Sequence, residues 1–279
     1  MRIGMNLLLW SGNITEAHFH LFKTLKGMGF DGVEIPLFSP DVSLLPRMRR
    51  ELDDLDLACT TSAICSPETS PISPYPAIRS AALDHLKKHI DWNSVLGGER
   101  IIGPFHSPIG HFSGNGRTAD EWRYGVETMR LAAEFAASAG TKLSAEPLNR
   151  FECYFLNTAA DSNRFVQEVN HPSFGYLYDT FHANIEEKDI FQSIVENASG
   201  INHVHISEND RGVPGTGHVQ WSETFRALKA VEYDSWLTIE AFGRALPELA
   251  AATCIWRDLF DSEEQVAEEG IAFTKKMWE

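Results

Sequence analysis

Four cysteines in 279 residues, none in a CxxC pair or at zinc-finger spacing, give no basis for a disulfide framework or a structural zinc. Cys59, Cys65, Cys153 and Cys254 therefore read as reduced, mostly buried thiols of a cytoplasmic protein. Cations are scarce too, with 24 Lys+Arg against 39 Asp+Glu and a formal net charge of −15. That balance argues against a nucleic-acid partner, because phosphate binding rests on Lys and Arg neutralising the backbone. A long apolar run is also missing. The stretch Met1–Trp10 is too short to span a bilayer and no small-residue cleavage site follows it, so no membrane partner, anchor or signal peptide is expected. No GxGxxG follows the first apolar run and no P-loop occurs anywhere, which removes the usual signature of the nucleotide-binding open sheets.

What is present is an ordinary globular composition, 43% hydrophobic and 23% charged, at a length suited to one barrel domain over residues 1–279. Short β-branched runs alternate with amphipathic stretches. Strands are predicted at Ile3–Trp10, Gly32–Phe38, Ala58–Cys65, Arg100–Pro104, Lys142–Leu148, Phe174–Tyr178, His203–Ser207 and Trp236–Ala241. Helices are predicted at about Thr15–Met28, then Ser43–Leu55, Ala77–Leu96, Ala119–Ala139, Ala159–Val169, Ile190–Ala198, Trp221–Val231 and Pro247–Phe260, with an extra C-terminal helix over Glu263–Lys276. Eight strand–helix units without a linker predict an α/β fold, a single (β/α)8 TIM barrel. The Pro-rich stretch Ser66–Pro76 is long for a plain connection and reads as a functional loop.

Barrel chemistry gathers at the C-terminal ends of the strands. Four consecutive units end on a polar residue in an apolar run: Glu146, Asp179, His205 and Glu240, spaced 33, 26 and 35 residues apart. Three carboxylates and one imidazole aimed at one point would repel one another without a cation, and this oxygen-rich set suits Mn2+ or Mg2+ better than a thiolate-preferring ion. Glu152, His182 and Arg211 lie a few residues beyond three of these ends, in loops where substrate-positioning groups belong, and suit a polyhydroxylated ligand. His106 and His111 follow the fourth strand and are either site residues or plain loop histidines. Glu34 shares the apolar-run context, but its strand is expected to lie away from the other four. Trp10, Trp92, Trp122, Trp221, Trp236 and Trp256 read as packing aromatics, and the acidic run Glu263–Glu269 as a solvated helix face.

The segments Glu146–Glu152, Asp179–Glu187 and His205–Arg211, with Pro214–Gly217, resemble the D-tagatose 3-epimerase family, which includes D-psicose (allulose) and L-ribulose 3-epimerases. The resemblance spans essentially the whole chain and implies the xylose-isomerase-like TIM-barrel superfamily. It further implies one divalent metal ion per chain, Mn2+ ahead of Co2+ or Mg2+, on Glu146, Asp179, His205 and Glu240. Glu152, His182 and Arg211 would hold a free ketose, and the protein would be a homodimer or homotetramer. The implied activity is metal-dependent inversion of C3 through a cis-enediolate at the metal, with Glu146 and Glu240 as the acid/base pair. The first strand departs from the family, since Met5–Trp10 replaces the aromatic wall many members place against the far end of the sugar. The alternatives are a 1,2-isomerase of a related sugar, hydroxypyruvate or inosose on the same site, a nucleic-acid enzyme of the endonuclease IV branch, and a non-catalytic sugar-binding protein. The −15 charge and the scarcity of strand-end histidines count against the endonuclease.

Overall fold

A computed structural model describes residues 1–279. Eight parallel strands form a closed barrel in sequence order, β1 (Arg2–Asn6), β2 (Gly32–Pro36), β3 (Ala58–Ser62), β4 (Arg100–Gly103), β5 (Lys142–Ala145), β6 (Phe174–Asp179), β7 (Ile201–Ile206) and β8 (Trp236–Ile239). Closure is made by β1, which pairs with β2 on one edge (Asn6 opposite Glu34) and with β8 on the other (Gly4 opposite Thr238).

The helices between them are α1 (His20–Met28), α2 (Leu45–Asp54), α3 (Pro76–Leu96), α4 (Ala119–Ser138), α5 (Ala159–Val169), α6 (Thr180–Glu186), α7 (Ile190–Asn197), α8 (Trp221–Ala230), α9 (Pro247–Ala252) and α10 (Glu263–Trp278). Local chemistry explains the better-marked ends. Thr118 and Glu121 form a capping box at the start of α4, and Gly29 and Gly97 close α1 and α3 in the left-handed conformation. α10 starts on a Ser262 cap with Glu263 and Glu264 in its first turn and ends with Lys275 and Lys276, the order its dipole favours.

Side chains alternate across each strand. The apolar set Ile3, Met5, Val33, Ile35, Val204, Ile206, Leu237 and Ile239 belongs to the apolar core that the helices cover. The alternate positions, among them Asn6, Glu34, His203, His205 and Thr238, are buried polar groups within the barrel. Trp236, 1% exposed, is accommodated among them because Gly32 has no side chain: a Cβ there would stand 2.4 Å from the Trp236 ring and 2.6 Å from the Ala58 carbonyl.

Several sequence expectations need correction. Leu7–Leu9 is a 3-10 turn rather than strand, and the stretch from Thr15 opens with a 3-10 turn, Glu16–His18, before α1. The expected Pro247–Phe260 helix stops at Ala252, because Cys254 adopts a left-handed backbone (φ 58°) and turns the chain away. Trp256 lies beyond that break and is 72% exposed, not a packing residue. The Ser66–Pro76 stretch packs on α4, where Thr128 donates to the Pro71 carbonyl, and none of its residues lines the cavity described below. Of the cysteines, Cys59, Cys65 and Cys153 are buried and Cys254 is exposed, all with free thiols.

Candidate active site and metal centre

Glu146 follows β5 directly, and its backbone N–H continues the ladder to the Gly103 carbonyl at 3.0 Å. Glu240 likewise follows β8, its N–H donating to Ile206 at 3.2 Å. Asp179 ends β6 and caps α6, its Oδ1 accepting from the His182 N–H at 2.9 Å. His205 lies on β7, in register with Asp179. Each of the four is 5% exposed or less. Their donor atoms lie within 4.8 Å of one another, so the structure brings together the four residues singled out by strand-end position.

Burial and the facing Glu240 carboxylate push the Glu146 carboxyl well above the usual carboxylate range. Burial also acts on Asp179, but Arg211, then His182 and His205, outweigh it and hold that carboxyl well below the usual range. His205 is raised despite burial, chiefly by Glu240 and Glu34. Its Nδ1, 3.4 Å from Glu240 and 3.5 Å from Asp179, is buried without a hydrogen-bond partner and faces the carboxylates. An unpartnered imidazole nitrogen among three carboxylates is a donor set a hard or borderline divalent cation would satisfy, so these residues fit a metal.

The second group assembles around this centre. His182 is 3% exposed, and its Nδ1 accepts the backbone N–H of Asn149 at 3.0 Å. Its Nε2 stands 3.7 Å from Glu146 and 3.1 Å from Arg211 Nη2, so a donor group faces each ring nitrogen. Burial, aided by Arg211, pushes His182 down to about 4 and keeps it neutral at physiological pH. Arg211 donates to Glu240 and to Ser207 at 2.8 Å and stacks on Phe181, 3.8 Å from the ring centroid. It does so from a left-handed backbone (φ 67°), an uncommon conformation for a side-chain-bearing residue that is characteristic of over-determined sites. Its loop is organised by Glu208, fully buried, which accepts from the N–H groups of Asn209, Gly215 and Val219 and from the Trp221 indole. Glu152 is half-buried and accepts from the Asn149 amide at 2.7 Å.

These groups floor a cavity of about 220 Å³. Asn6, Glu146, Glu152, His182, Arg211 and Glu240 supply most of its polar lining, while Leu8, Phe38, Ile64, Ile109, Phe242 and Leu249 are among its apolar walls. Leu8 stands in the 3-10 turn that follows β1. His111 is exposed and does not line the cavity. His106 is buried, with Nε2 on the Glu146 carbonyl at 2.7 Å, and supports the strand end instead of facing the cavity.

The expectation for Glu34 is overturned. It is fully buried with Oε1 2.8 Å from His205 Nε2, and Asn6 Nδ2 bridges it to Glu240 at 3.0 and 2.9 Å. Closure brings β2 across the lumen from β7, a relation that sequence order does not express. Strand alternation carried the only available signal: Asn6 and Glu34 occupy polar positions between outward apolar ones. Asn149, Ser207 and Glu208 were also missed, each lying inside a motif whose other members drew attention.

Three buried acids and one histidine gathered at the C-terminal ends of a parallel barrel's strands form a candidate metal site. Residues 22–277 match the model of the xylose isomerase-like TIM barrel family, and the chain belongs to it. A ketose 3-epimerase from Arthrobacter globiformis is 31% identical over 99% of this chain and 96% of that protein. An L-ribulose 3-epimerase from Methylomonas sp. (strain DH-1) is 30% identical over 100% of this chain and 98% of its own. The crystal structure of a Methylomonas sp. D-allulose 3-epimerase in complex with D-allulose matches with a TM-score of 0.91 at 30% identity, covering 99% of this chain and 97% of that one.

Proposed function

We propose that this protein is a metal-dependent epimerase that inverts C3 of free ketoses of the D-tagatose, D-psicose or L-ribulose type. The observation that carries the reading is the pairing of Glu146 and Glu240, buried at the ends of β5 and β8 with His205 and Asp179 between them in sequence and beside them in space. Inversion through a planar enediolate needs one group to remove the C3 proton and another to return a proton to the opposite face. Two carboxyl groups from different strands suit that division.

Glu146, Asp179, His205 and Glu240 would hold one divalent cation, Mn2+ by preference, which when bound supplies Lewis-acid stabilisation of charge developing on the C2 and C3 oxygens. The remaining steps belong to the chain. One glutamate takes the C3 proton as the C2–C3 enediolate forms, and the other donates a proton to C3 from the far face, so the product differs only in configuration. Arg211, with His182 beside it at 3.1 Å, presents its guanidinium to oxygens that gain charge. Glu152, steadied by Asn149, accepts from substrate hydroxyls. Arg211 is the one Lys or Arg lining the cavity and is engaged by Glu240, which supports free sugars over sugar phosphates. The four free thiols are consistent with a reducing compartment such as the cytoplasm.

The test is incubation of Mn2+-loaded protein in D2O with fructose, psicose, tagatose, sorbose, ribulose and xylulose, followed by NMR. Deuterium at C3 together with the C3 epimer is expected. Label at C1 with aldose formation would replace the proposal with a 1,2-isomerase.

A further inference from the structure

One fully buried carboxylate of the lumen is not among the four that ring the cation position. Glu34 accepts three aligned hydrogen bonds: from His205 Nε2 at 2.8 Å and Asn6 Nδ2 at 3.0 Å on Oε1, and from Thr60 Oγ1 at 2.8 Å on Oε2. His203 Nε2 stands 3.1 Å from Oε2 but outside hydrogen-bond alignment. Glu34, His203 and His205 are themselves compact enough to suggest a second cation site. The engagement of both Glu34 oxygens, one of them by the His205 ring nitrogen, argues against that use.

Two of these partners lead back to the cation position. A carboxylate only accepts, so the close His205 Nε2 must carry its hydrogen. In the neutral ring that a cation requires, the other nitrogen, Nδ1, then keeps a free lone pair, and it is the atom left unpartnered before Glu146, Asp179 and Glu240. Without an acceptor behind Nε2, a neutral imidazole is free to place its hydrogen on Nδ1, where it blocks coordination. The second path runs through Asn6. Its amide donates to Glu34 and to Glu240 Oε1, while its Oδ1 is fixed by the Leu8 N–H at 2.9 Å.

We infer that Glu34 is a positioning residue of the cation site: it holds the Nε2 hydrogen of His205 so that Nδ1 faces the cation, and through Asn6 it orients Glu240. The inference rests on the proposed cation site. An acceptor behind a metal-binding histidine typically changes affinity by roughly 10–100-fold when removed.

The experiment is a calorimetric Mn2+ titration of the full chain, paired with 1H–15N NMR of histidine-labelled, Mg2+-loaded protein. Wild type is expected to give a downfield Nε2–H resonance for His205, identified by its loss in His205→Ala. Glu34→Leu is expected to weaken Mn2+ binding by roughly 10–100-fold and to abolish that resonance. Glu34→Gln keeps the shape and an acceptor, so it carries the test where the leucine variant does not fold. It is expected to weaken binding severalfold and to move the resonance upfield as the charge-assisted bond is lost. Unchanged affinity together with an unmoved resonance in Glu34→Gln would overturn the inference while leaving the cation site intact. Wild-type Mn2+ affinity in His205→Ala would overturn the cation reading itself.

Discussion

Glu146 and Glu240 occupy similar strand-end positions but unlike surroundings. Glu240 is tied on one oxygen by Asn6 and on the other by Arg211, while Glu146 has only the more distant His182 and His205 as facing partners. In the proposed reaction both are needed, one for each face. Glu146→Gln and Glu240→Gln are therefore each expected to lower C3 deuterium exchange by at least 10²-fold, measured by NMR with the best substrate of the ketose panel. Asn149 makes a subtler case. Its backbone N–H donates to His182 Nδ1, a bond that a change to alanine keeps, while its side-chain amide steadies Glu152. Asn149→Ala is expected to lower kcat/KM about tenfold, about 1.4 kcal/mol, mainly through KM, as steady-state kinetics would record. At this scale the four strand-end residues were legible because each interrupts an apolar run at a fixed place in a repeating unit. Glu34 interrupts one equally well. Its role depends on which strand faces it across the lumen, and that is a property of barrel closure, not of spacing along the chain.

Secondary-structure elements were legible wherever a single period ran from cap to cap, as in α5 over Ala159–Val169, and less so where the chain changes conformation within one apolar pattern. The amphipathic stretch after Pro247 reads as continuous helix, yet the left-handed Cys254 breaks it and leaves Ala252 and Thr253 lining the cavity. A similar local choice positions β2. Gly32 stands where any side chain meets both the Trp236 ring and the Ala58 carbonyl, and the carbonyl is backbone that cannot turn aside. Gly32→Ala is expected to destabilise the protein by about 1–3 kcal/mol, seen as a lower denaturation midpoint in urea. Since Glu34 lies two residues further on the same strand, the displacement is also expected to weaken Mn2+ binding, which calorimetry would register.

For the molecule as a whole, two linkages govern stability. A cation bound only by the folded state adds about 2.7 kcal/mol at a concentration 100-fold above its Kd, so chelation is expected to lower Tm by several degrees in calorimetry. Protons act through buried neutral histidines such as His89 on α3, which burial pushes down from 6.5 to about 4. The folded state resists protonation there while the unfolded chain accepts it, so this contribution is intact above pH 6.5 and is lost as pH falls toward 4. At about 1.4 kcal/mol per pH unit the loss is on the order of 3 kcal/mol, and a Tm profile in metal-free buffer should decline across that window. His89→Gln should flatten the decline. The barrel itself was legible because eight repeats admit few other closed parallel arrangements at this length.

Closure has a consequence for how such a chain comes into being. Asn6 meets Glu240 across a sequence separation of 234 residues, and β1 finds its second neighbour only in β8. During translation β1 emerges before β8 and must wait, one edge unsatisfied, until the chain through β8 has been made. A nascent chain that has not yet reached β8 therefore cannot assemble Glu240 with Asn6 and Glu34, and whatever the finished site holds can be captured only once that strand has been made.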